Sequence, residues 1–224
     1  MKSASSLFSE QDRARISAAI AAAESGTAGE IVPVVATSSG RYDRAEDLFG
    51  LVVALAAVSA IWFVQQGAVE AAWSGAAAPR LGLIGVLAIF ALGFIGGAWL
   101  ASRVPLLRLP FISSAEIDAE VDRAARAAFQ THRVRGTAGG TGLLIYVSLY
   151  EHRVRVLGDD AVDARVSLAE WDAICAAVVD GMRRDDPTQG LLDGLALAGS
   201  LLARLLPRDS GDVNELPDQL ILID

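Results

Sequence analysis

Two long runs without a charged residue constrain this chain more than any other feature. The first extends from Leu48 to Val69 and the second from Leu81 to Ser102, and each contains 22 residues. About 20 residues of α-helix cross a hydrocarbon core of ~30 Å, so each run is long enough to span a bilayer. Each run is also apolar on every side, as expected of a helix in a membrane or at the centre of a large protein. We therefore predict a two-helix transmembrane hairpin.

Basic residues beside the two spans predict the orientation of this hairpin. Four arginines lie outside it, namely Arg41, Arg44, Arg103 and Arg108, whereas Arg80 alone lies in the connecting loop near residues 67–79. Basic residues are concentrated in the cytoplasmic loops of membrane proteins. We therefore expect a multi-pass membrane protein with both termini in the cytoplasm.

Small residues recur at helical spacing on both spans. Gly93 and Gly97 form a small-xxx-small pair on the second span, and Gly50 and Ala54 form another on the first. Such pairs allow the backbones of membrane helices to approach closely. We expect close contact within the hairpin, and Gly93 and Gly97 are also the candidate surface for a homo-oligomer.

Charge and cysteine content exclude several classes of partner and site. The net charge is −8 and the isoelectric point is about 4.8, so the chain has no long-range attraction for nucleic acid or an anionic lipid surface. The single cysteine allows no intramolecular disulfide, and two histidines are too few to favour a Cys/His zinc site. The lipid bilayer is the expected partner because of the two apolar spans, together with other membrane proteins. No apolar stretch typical of a signal peptide precedes residue 30.

The segments on either side of the hairpin are expected to form one discontinuous domain. Residues 45–102 hold the hairpin, which leaves residues 1–44 and 103–224. Roughly forty residues are too few to build a core alone, so the first segment must pack with the second. The order of predicted elements is α-β-hairpin-α-β-β-α-α, which indicates an α/β sandwich of sheet and helices.

Apolar runs of strand length predict the sheet. Residues 30–36 form a β-rich run, but Pro33 cannot donate to a ladder, so this strand is at an edge, bulged, or wrongly assigned. Residues 142–149, GLLIYVSL, form a nearly continuous apolar run, as in a strand buried on both faces. The segment HRVRVL that follows from His152 alternates and is predicted to be its half-exposed hairpin partner.

Capping patterns and helical spacing predict the helices. Ser9 with Asp12, Ser113 with Glu116 and Ser167 with Glu170 mark three helix starts. A last helix is predicted from about Thr188 to Leu206, and the short apolar run at the end of the acidic tail is predicted to dock as an edge strand. Cys175 falls on the apolar face of its helix, so we interpret it as a core residue.

A group of aspartates is the candidate metal site. Asp159 and Asp160 follow the second hairpin strand, and Asp163 comes three residues later. Ligands collect at sheet ends in α/β folds, and several carboxylates in a turn suit Ca²⁺ or Mg²⁺. The alternative is that these aspartates cap a turn or a helix and contact only water. Four further acidic residues could complete such a site: Glu30, Asp209, Asp212 and Glu215.

Motifs of known catalytic sites are absent from the sequence. It contains no phosphate-binding Walker loop, no G-x-G-x-x-G after a strand, no H-E-x-x-H and no G-x-S-x-G. His132 and His152 are the only histidines, and we expect structural or surface roles for both.

Several segments together resemble the TPM-domain family. They are TAGEIVPVVA near the start, TGLLIYVSLYEHRVRVLGDD in the middle, Trp171 in its helix and DVNELPD near the end. The chain is most similar to bacterial membrane members with a transmembrane hairpin inserted after the first strand. The resemblance implies an α/β sandwich attached to a membrane, which would be the bacterial inner (cytoplasmic) membrane.

Relatives in this family imply three possible functions. Some are linked to acid phosphatase activity, others to bound Ca²⁺, and others to assembly or maintenance of membrane complexes. This chain departs from the family pattern at residues 137–142, which lack the usual arginines, and at residues 159–162, where an Asp-x-Gly-Ile-like turn is expected. We therefore expect a membrane-anchored TPM-like binding or assembly module for membrane protein partners. A metal-dependent acid-phosphatase-like hydrolase and a calcium-binding sensor are the alternatives.

Overall fold

The structure, a computed structural model, describes residues 3–72, 81–137, 139–208 and 212–224. It divides into two compact units, residues 1–40 with 117–224 and residues 41–116. Arg80, Asp209 and the part of the predicted external loop from residue 73 onward lie outside the described residues.

A four-stranded sheet forms the centre of the first unit, in the order β3-β2-β1-β4. Strand β1 is parallel to both β2 and β4, and β2 and β3 form an antiparallel hairpin. The α/β class, the β-hairpin formed by β2 and β3, and the docking of the tail as an edge strand are therefore confirmed. The strands are β1 (Glu30–Ala36), β2 (Gly142–Ser148), β3 (Arg153–Gly158) and β4 (Ile221–Ile223).

The predicted helix starts agree with the structure. Ser9 and Ser167 each cap a helix in a full capping box, with Asp12 and Glu170 as the reciprocal partners. The helices are α1 (Ala4–Leu7), α2 (Glu10–Glu24), α3 (Asp43–Ala72), α4 (Leu83–Arg103), α5 (Ser114–Thr131), α6 (Asp160–Asp163), α7 (Leu168–Arg183) and α8 (Pro187–Leu205).

Apolar side chains fill both faces of the sheet. On one face, Ile31 and Val35 of β1 pack in a cluster with residues of α2, α7 and α8. On the other face, Val32 and Val34 pack in a cluster with residues of α5. Successive residues of a strand point to opposite faces, so an unbroken apolar run is what a strand covered on both sides requires. Cys175 packs beside the first cluster, in agreement with its predicted core position.

Strand β1 is an interior strand, which corrects the expectation that Pro33 places it at an edge. Pro33 pairs in register with Ile145 of β2, whereas β4 pairs only from Val34 onward. Ile31, two residues earlier, donates its N–H to the Glu24 side chain rather than to a strand. Because backbone N–H groups alternate in direction along a strand, the nitrogen of Pro33 faces the same side as that of Ile31. Strand β4 does not yet lie beside β1 at Pro33, so the missing N–H of Pro33 costs no hydrogen bond between the strands.

The second unit is built on helices α3 and α4. Helix α3 starts before the predicted span, with Asp43 and Glu46 in its first turn, where acidic side chains stabilise the helix dipole. It remains helical to Ala72, so the predicted loop does not begin at residue 67. Near the start of α3, Arg108 forms an ion pair with Glu46 at 2.8 Å.

Glycines allow α3 and α4 to pack closely. A Cβ at position 97 would lie 2.9 Å from the Cα of Gly50, and one at position 93 would lie 2.9 Å from the Cα of Ala54. Those distances are too short for any side chain. Gly93 and Gly97 thus serve contacts inside the hairpin, and a homo-oligomer through them would first require the two helices to separate.

We predict that Gly97→Ala destabilises the hairpin whereas Gly96→Ala does not. The added methyl at position 97 meets Gly50 and Val53, and such overpacking costs about 1–3 kcal/mol. Position 96 has open space within 4 Å, so alanine there adds only its higher helix propensity. Equilibrium unfolding of the purified protein by titration with sodium dodecyl sulfate compares the two variants. Equal midpoints for both would contradict the close approach of the helices.

Candidate functional site

The predicted acidic loop caps a short helix and contacts an arginine. Asp159 directly follows β3, is 4% exposed, and accepts a hydrogen bond from the Asp160 N–H at 2.8 Å as the N-cap of α6. Arg135 lies 3.7 Å from the Asp159 carboxylate and 3.2 Å from that of Asp160. Asp163 ends the same helix with an exposed side chain. The loop therefore has the capping geometry that was the alternative to a metal site.

The metal site predicted at Asp159, Asp160 and Asp163 stays a prediction, because this geometry adds no support to it. Among the described residues, no three Asp, Glu, His or Cys side chains converge as a metal site requires. The loop follows β3 at a sheet end, as predicted. Since β3 is antiparallel to β2, Asp159 lies beside Gly142 at the amino end of β2 and donates its N–H to that residue's carbonyl at 2.8 Å. The rule that ligands collect at carboxyl ends of strands does not apply there.

A network of hydroxyls and one carboxylate lies at the carboxyl ends of β1 and β2. Glu151 accepts hydrogen bonds from the N–H groups of Ser39 and Gly40, at 2.9 and 3.1 Å. The Ser39 hydroxyl lies 2.7 Å from that of Ser148 and 3.0 Å from that of Tyr146, whose pKa is raised by burial. Ser148 in turn donates to Glu151. The network ties the segment after β1 to the β2–β3 turn, and its hydroxyls are engaged with one another.

A second acidic cluster lies at the amino end of β1, and its residues Glu30 and Asp212 were predicted only as additions to the site at Asp159. We call it the carboxylate cavity, defined by Glu24, Glu30 and Asp218. These residues come from the end of α2, the start of β1 and the segment before β4, and they line a cavity of about 210 Å³. Glu24 and Glu30 are 8% and 4% exposed. Long-range packing therefore gathers acidic groups that no spacing in the sequence connects.

The Glu30 carboxylate holds the tail against the sheet. Its two oxygens accept hydrogen bonds from the N–H groups of Glu215 and Leu216, at 3.1 and 3.3 Å. Asp218 anchors the same segment, since its carboxylate accepts from the Asn214 side chain at 2.7 Å and its carbonyl accepts from the Ser17 hydroxyl. The segment NELPD thus has a structural role, which is to position β4. Burial raises the pKa of Glu30, against the effect of the two N–H donors.

Glu24 is the unusual member of the cavity. Its Oε1 accepts the Ile31 N–H at 2.7 Å, while its Oε2 is buried. Burial raises the pKa of Glu24 to about 8 against the effect of the Ile31 bond, and the nearby Glu30 and Asp218 carboxylates and a side-chain hydrogen bond to Asp218 raise it further. Glu24 therefore carries a proton at neutral pH. Chemically, this neutral carboxyl group can donate a hydrogen bond to the Asp218 carboxylate.

We predict that Glu24 makes the protein less stable as the pH rises from about 4.5 to 8. The native state keeps the proton up to a pKa of about 8, whereas the unfolded chain loses it near its ordinary pKa of 4.5. Between these values the unfolding free energy falls by up to about 1.4 kcal/mol per pH unit. Denaturant titrations at pH 5, 6, 7 and 8 should show this slope in the wild type and a smaller slope in Glu24→Gln.

The matched control for this prediction is Glu10→Gln. It makes the same change on the same helix, at a side chain that is 90% exposed. Parallel curves for the wild type and Glu24→Gln would contradict the raised pKa, whereas Glu10→Gln should follow the wild type throughout.

Comparisons with known proteins agree with this architecture. The TPM domain model matches residues 111–201. The NMR structure of the BA42 protein from the psychrophilic bacterium Bizionia argentinensis aligns with a TM-score of 0.55 and 18% identity, over 96% of this chain and 94% of that one. At that identity the likeness concerns the fold alone. No curated protein matches the sequence.

The matched segment holds most of the elements described above. It contains the β2–β3 hairpin, α7 and much of α8, which pack on one another in the first unit. This segment therefore matches the TPM domain, and the fold of the chain is similar to that of the BA42 protein.

Proposed function

We propose that this protein is anchored in the bacterial cytoplasmic membrane by α3 and α4, and that its TPM domain is a binding or assembly module for membrane protein partners. The observation that carries the proposal is the exposure of the two apolar helices. Only 11% of the first candidate span, in Asp43–Gln66, and 6% of the second, in Leu83–Arg103, is buried within the protein. A core helix of a soluble protein is mostly buried, so this exposure favours a lipid environment.

Large side chains make up much of this exposed surface. Phe63 is 75% exposed and Ile84 is 84% exposed, and the list of exposed apolar residues on the two helices also includes Leu51, Val52, Leu55, Trp62, Val64, Leu83, Leu87, Leu92, Ile95, Trp99 and Leu100. Contiguous apolar surface of this kind is unfavourable in water. Lipid tails would cover it without any further protein contact.

The distribution of arginines supports an orientation with both termini in the cytoplasm. Arg103 lies in the last turn of α4, and Arg41, Arg44 and Arg108 lie close to the helix ends in sequence. Only Arg80 belongs to the connection between the helices. This bias follows the positive-inside pattern of membrane proteins.

We predict that the protein stays in the membrane pellet after alkaline carbonate extraction, with the helix connection on the external side. Topology can be tested with single cysteines in a Cys175→Ser background. An impermeant maleimide should label Ser74→Cys in intact cells and label Ser5→Cys only after permeabilisation. The reverse labelling would contradict the orientation, and release by carbonate would contradict the anchor.

The binding role predicts a reproducible set of membrane proteins that co-purify with the full chain after mild solubilisation. The control is an unrelated two-span protein with the same tag, which accounts for proteins recovered only because they share the membrane. A protein that migrates as a solitary monomer in repeated preparations would contradict the role as an assembly module.

A metal-dependent phosphatase and a calcium sensor are tested separately. Phosphomonoester hydrolysis is measured with and without Ca²⁺ or Mg²⁺, beside a variant with Asp159→Ala and Asp160→Ala. Metal-dependent hydrolysis that this variant loses would replace the binding module by an enzyme. Saturable Ca²⁺ binding without hydrolysis, lost in the same variant, would favour the sensor.

A further inference from the structure

A short apolar segment follows α4 and belongs to neither candidate span. Residues 104–111, which we call the interfacial segment, contain two consecutive 3₁₀ turns, Pro105–Leu107 and Leu109–Phe111. Leu106 is 71% exposed, and Val104 and Leu109 are 39% and 42% exposed. Three large apolar side chains exposed within six residues form a patch that is unfavourable in water.

Contacts inside the second unit place the interfacial segment beside the point where the apolar run of α3 begins. The rings of Phe111 and Phe49 meet edge to face, with their centroids 6.3 Å apart. Arg108 pairs with Glu46, which lies earlier on α3. Because the uncharged run of α3 starts at Leu48, the segment lies at the boundary between the polar first turn of that helix and its apolar part.

The neighbouring part of α4 has the residue types of a membrane interface. Trp99 is 58% exposed, and the Arg103 guanidinium lies 5.3 Å from the centre of its ring. Since Gly97 packs against Gly50, this end of α4 lies alongside the first turns of α3. Tryptophan is enriched where hydrocarbon meets headgroups, and arginine near a helix end reaches toward the headgroups. The exposed leucines of the interfacial segment continue this surface.

The backbone of the interfacial segment suits an environment less polar than water. Five N–H groups donate to carbonyls three or four residues earlier, namely those of Val104, Leu107, Arg108, Phe111 and Ile112. Pro105 and Pro110 have no N–H to satisfy. Irregular backbone that faces lipid is excluded from the hydrocarbon core, whereas headgroups and water at the interface can satisfy its remaining polar groups. The apolar side chains and the irregular backbone are therefore both accommodated at the interface.

We propose that residues 104–111 form a third contact with the bilayer, in which Leu106 and Leu109 insert at the boundary between headgroups and acyl chains. This inference rests on the proposed membrane anchor and adds a contact that neither span provides. Arg103, beside the segment, donates hydrogen bonds to lipid phosphates. The second span ends at Arg103, but the chain leaves the lipid only after Phe111.

The test measures the environment of nitroxide labels on single cysteines in a Cys175→Ser background, with the full chain in phosphatidylcholine vesicles. Oxygen concentrates in lipid and a charge-neutral nickel chelate concentrates in water, so collision rates with the two reagents report the depth of each label. We expect labels at Leu106→Cys and Leu109→Cys to collide more with oxygen than with the chelate, at a depth of about 5–10 Å.

Two further positions calibrate the measurement. Leu168 is 82% exposed and lies in the other unit, so a label at Leu168→Cys should collide mainly with the nickel chelate. Leu92 is 71% exposed on α4, so a label at Leu92→Cys should report the hydrocarbon core. All four positions are exposed leucines, so the substitutions remove little packing.

Two results at position 106 would overturn the inference. Collisions mainly with the nickel chelate, as at Leu168→Cys, would place the interfacial segment in water. Few collisions with either reagent would mean that protein, rather than lipid, covers the segment.

Failure of this inference can be separated from failure of the membrane anchor. A Leu92→Cys label in lipid beside a Leu106→Cys label in water would keep the anchor and remove only the third contact. A Leu92→Cys label in water would contradict the anchor itself, and the inference would fail with it.

Discussion

The α/β unit depends on two buried glutamates that accept backbone hydrogen bonds where no neighbouring strand is present. Glu24 satisfies the N–H of Ile31 at the start of β1, and Glu30 satisfies two N–H groups of the segment that leads into β4. Strand β4 has only three residues, so its ladder alone is a weak attachment. The carboxylate of Glu30 fixes the approach of that strand and thereby completes the sheet beside β1. A buried amide without such an acceptor would cost about 1–3 kcal/mol.

These two glutamates also explain why the cavity has unusual chemistry. Holding the tail near β1 brings Asp218 into the neighbourhood of Glu24, and both Glu30 and Asp218 then raise the pKa of Glu24. The carboxyl groups of Glu24 and Glu30 accept backbone hydrogen bonds, and burial, together with repulsion from the neighbouring carboxylates, leaves Glu24 protonated.

Local patterns predicted most of the elements, whereas long-range packing decided the sites. The capping residues Ser9 and Ser167 and the apolar run of β2 act on their immediate neighbours, so they could be recognised from the sequence. Pro33 was misleading because its effect depends on where β4 begins to pair, about 190 residues later in the chain. The acidic loop at Asp159 follows β3 as predicted, but the antiparallel direction of β3 puts it at the amino end of β2, which no local pattern reveals. The carboxylate cavity could not be predicted as a unit, because Glu24, Glu30 and Asp218 are brought together only by the fold, although Glu30 is a candidate ligand from the sequence alone.

The close approach of Gly50 and Gly97 has a consequence for the order in which the chain folds. Strand β1 must find β2 across the whole inserted hairpin, and closing so long a loop is entropically unfavourable. Once α3 and α4 have packed, a little under half of the intervening residues no longer belong to the open loop. The logarithmic dependence of closure entropy on length makes this worth about 0.5 kcal/mol toward pairing of the two strands. Hairpin formation ahead of the sheet would therefore lower the entropic cost of pairing β1 with β2, and the inserted segment would act as an internal folding aid.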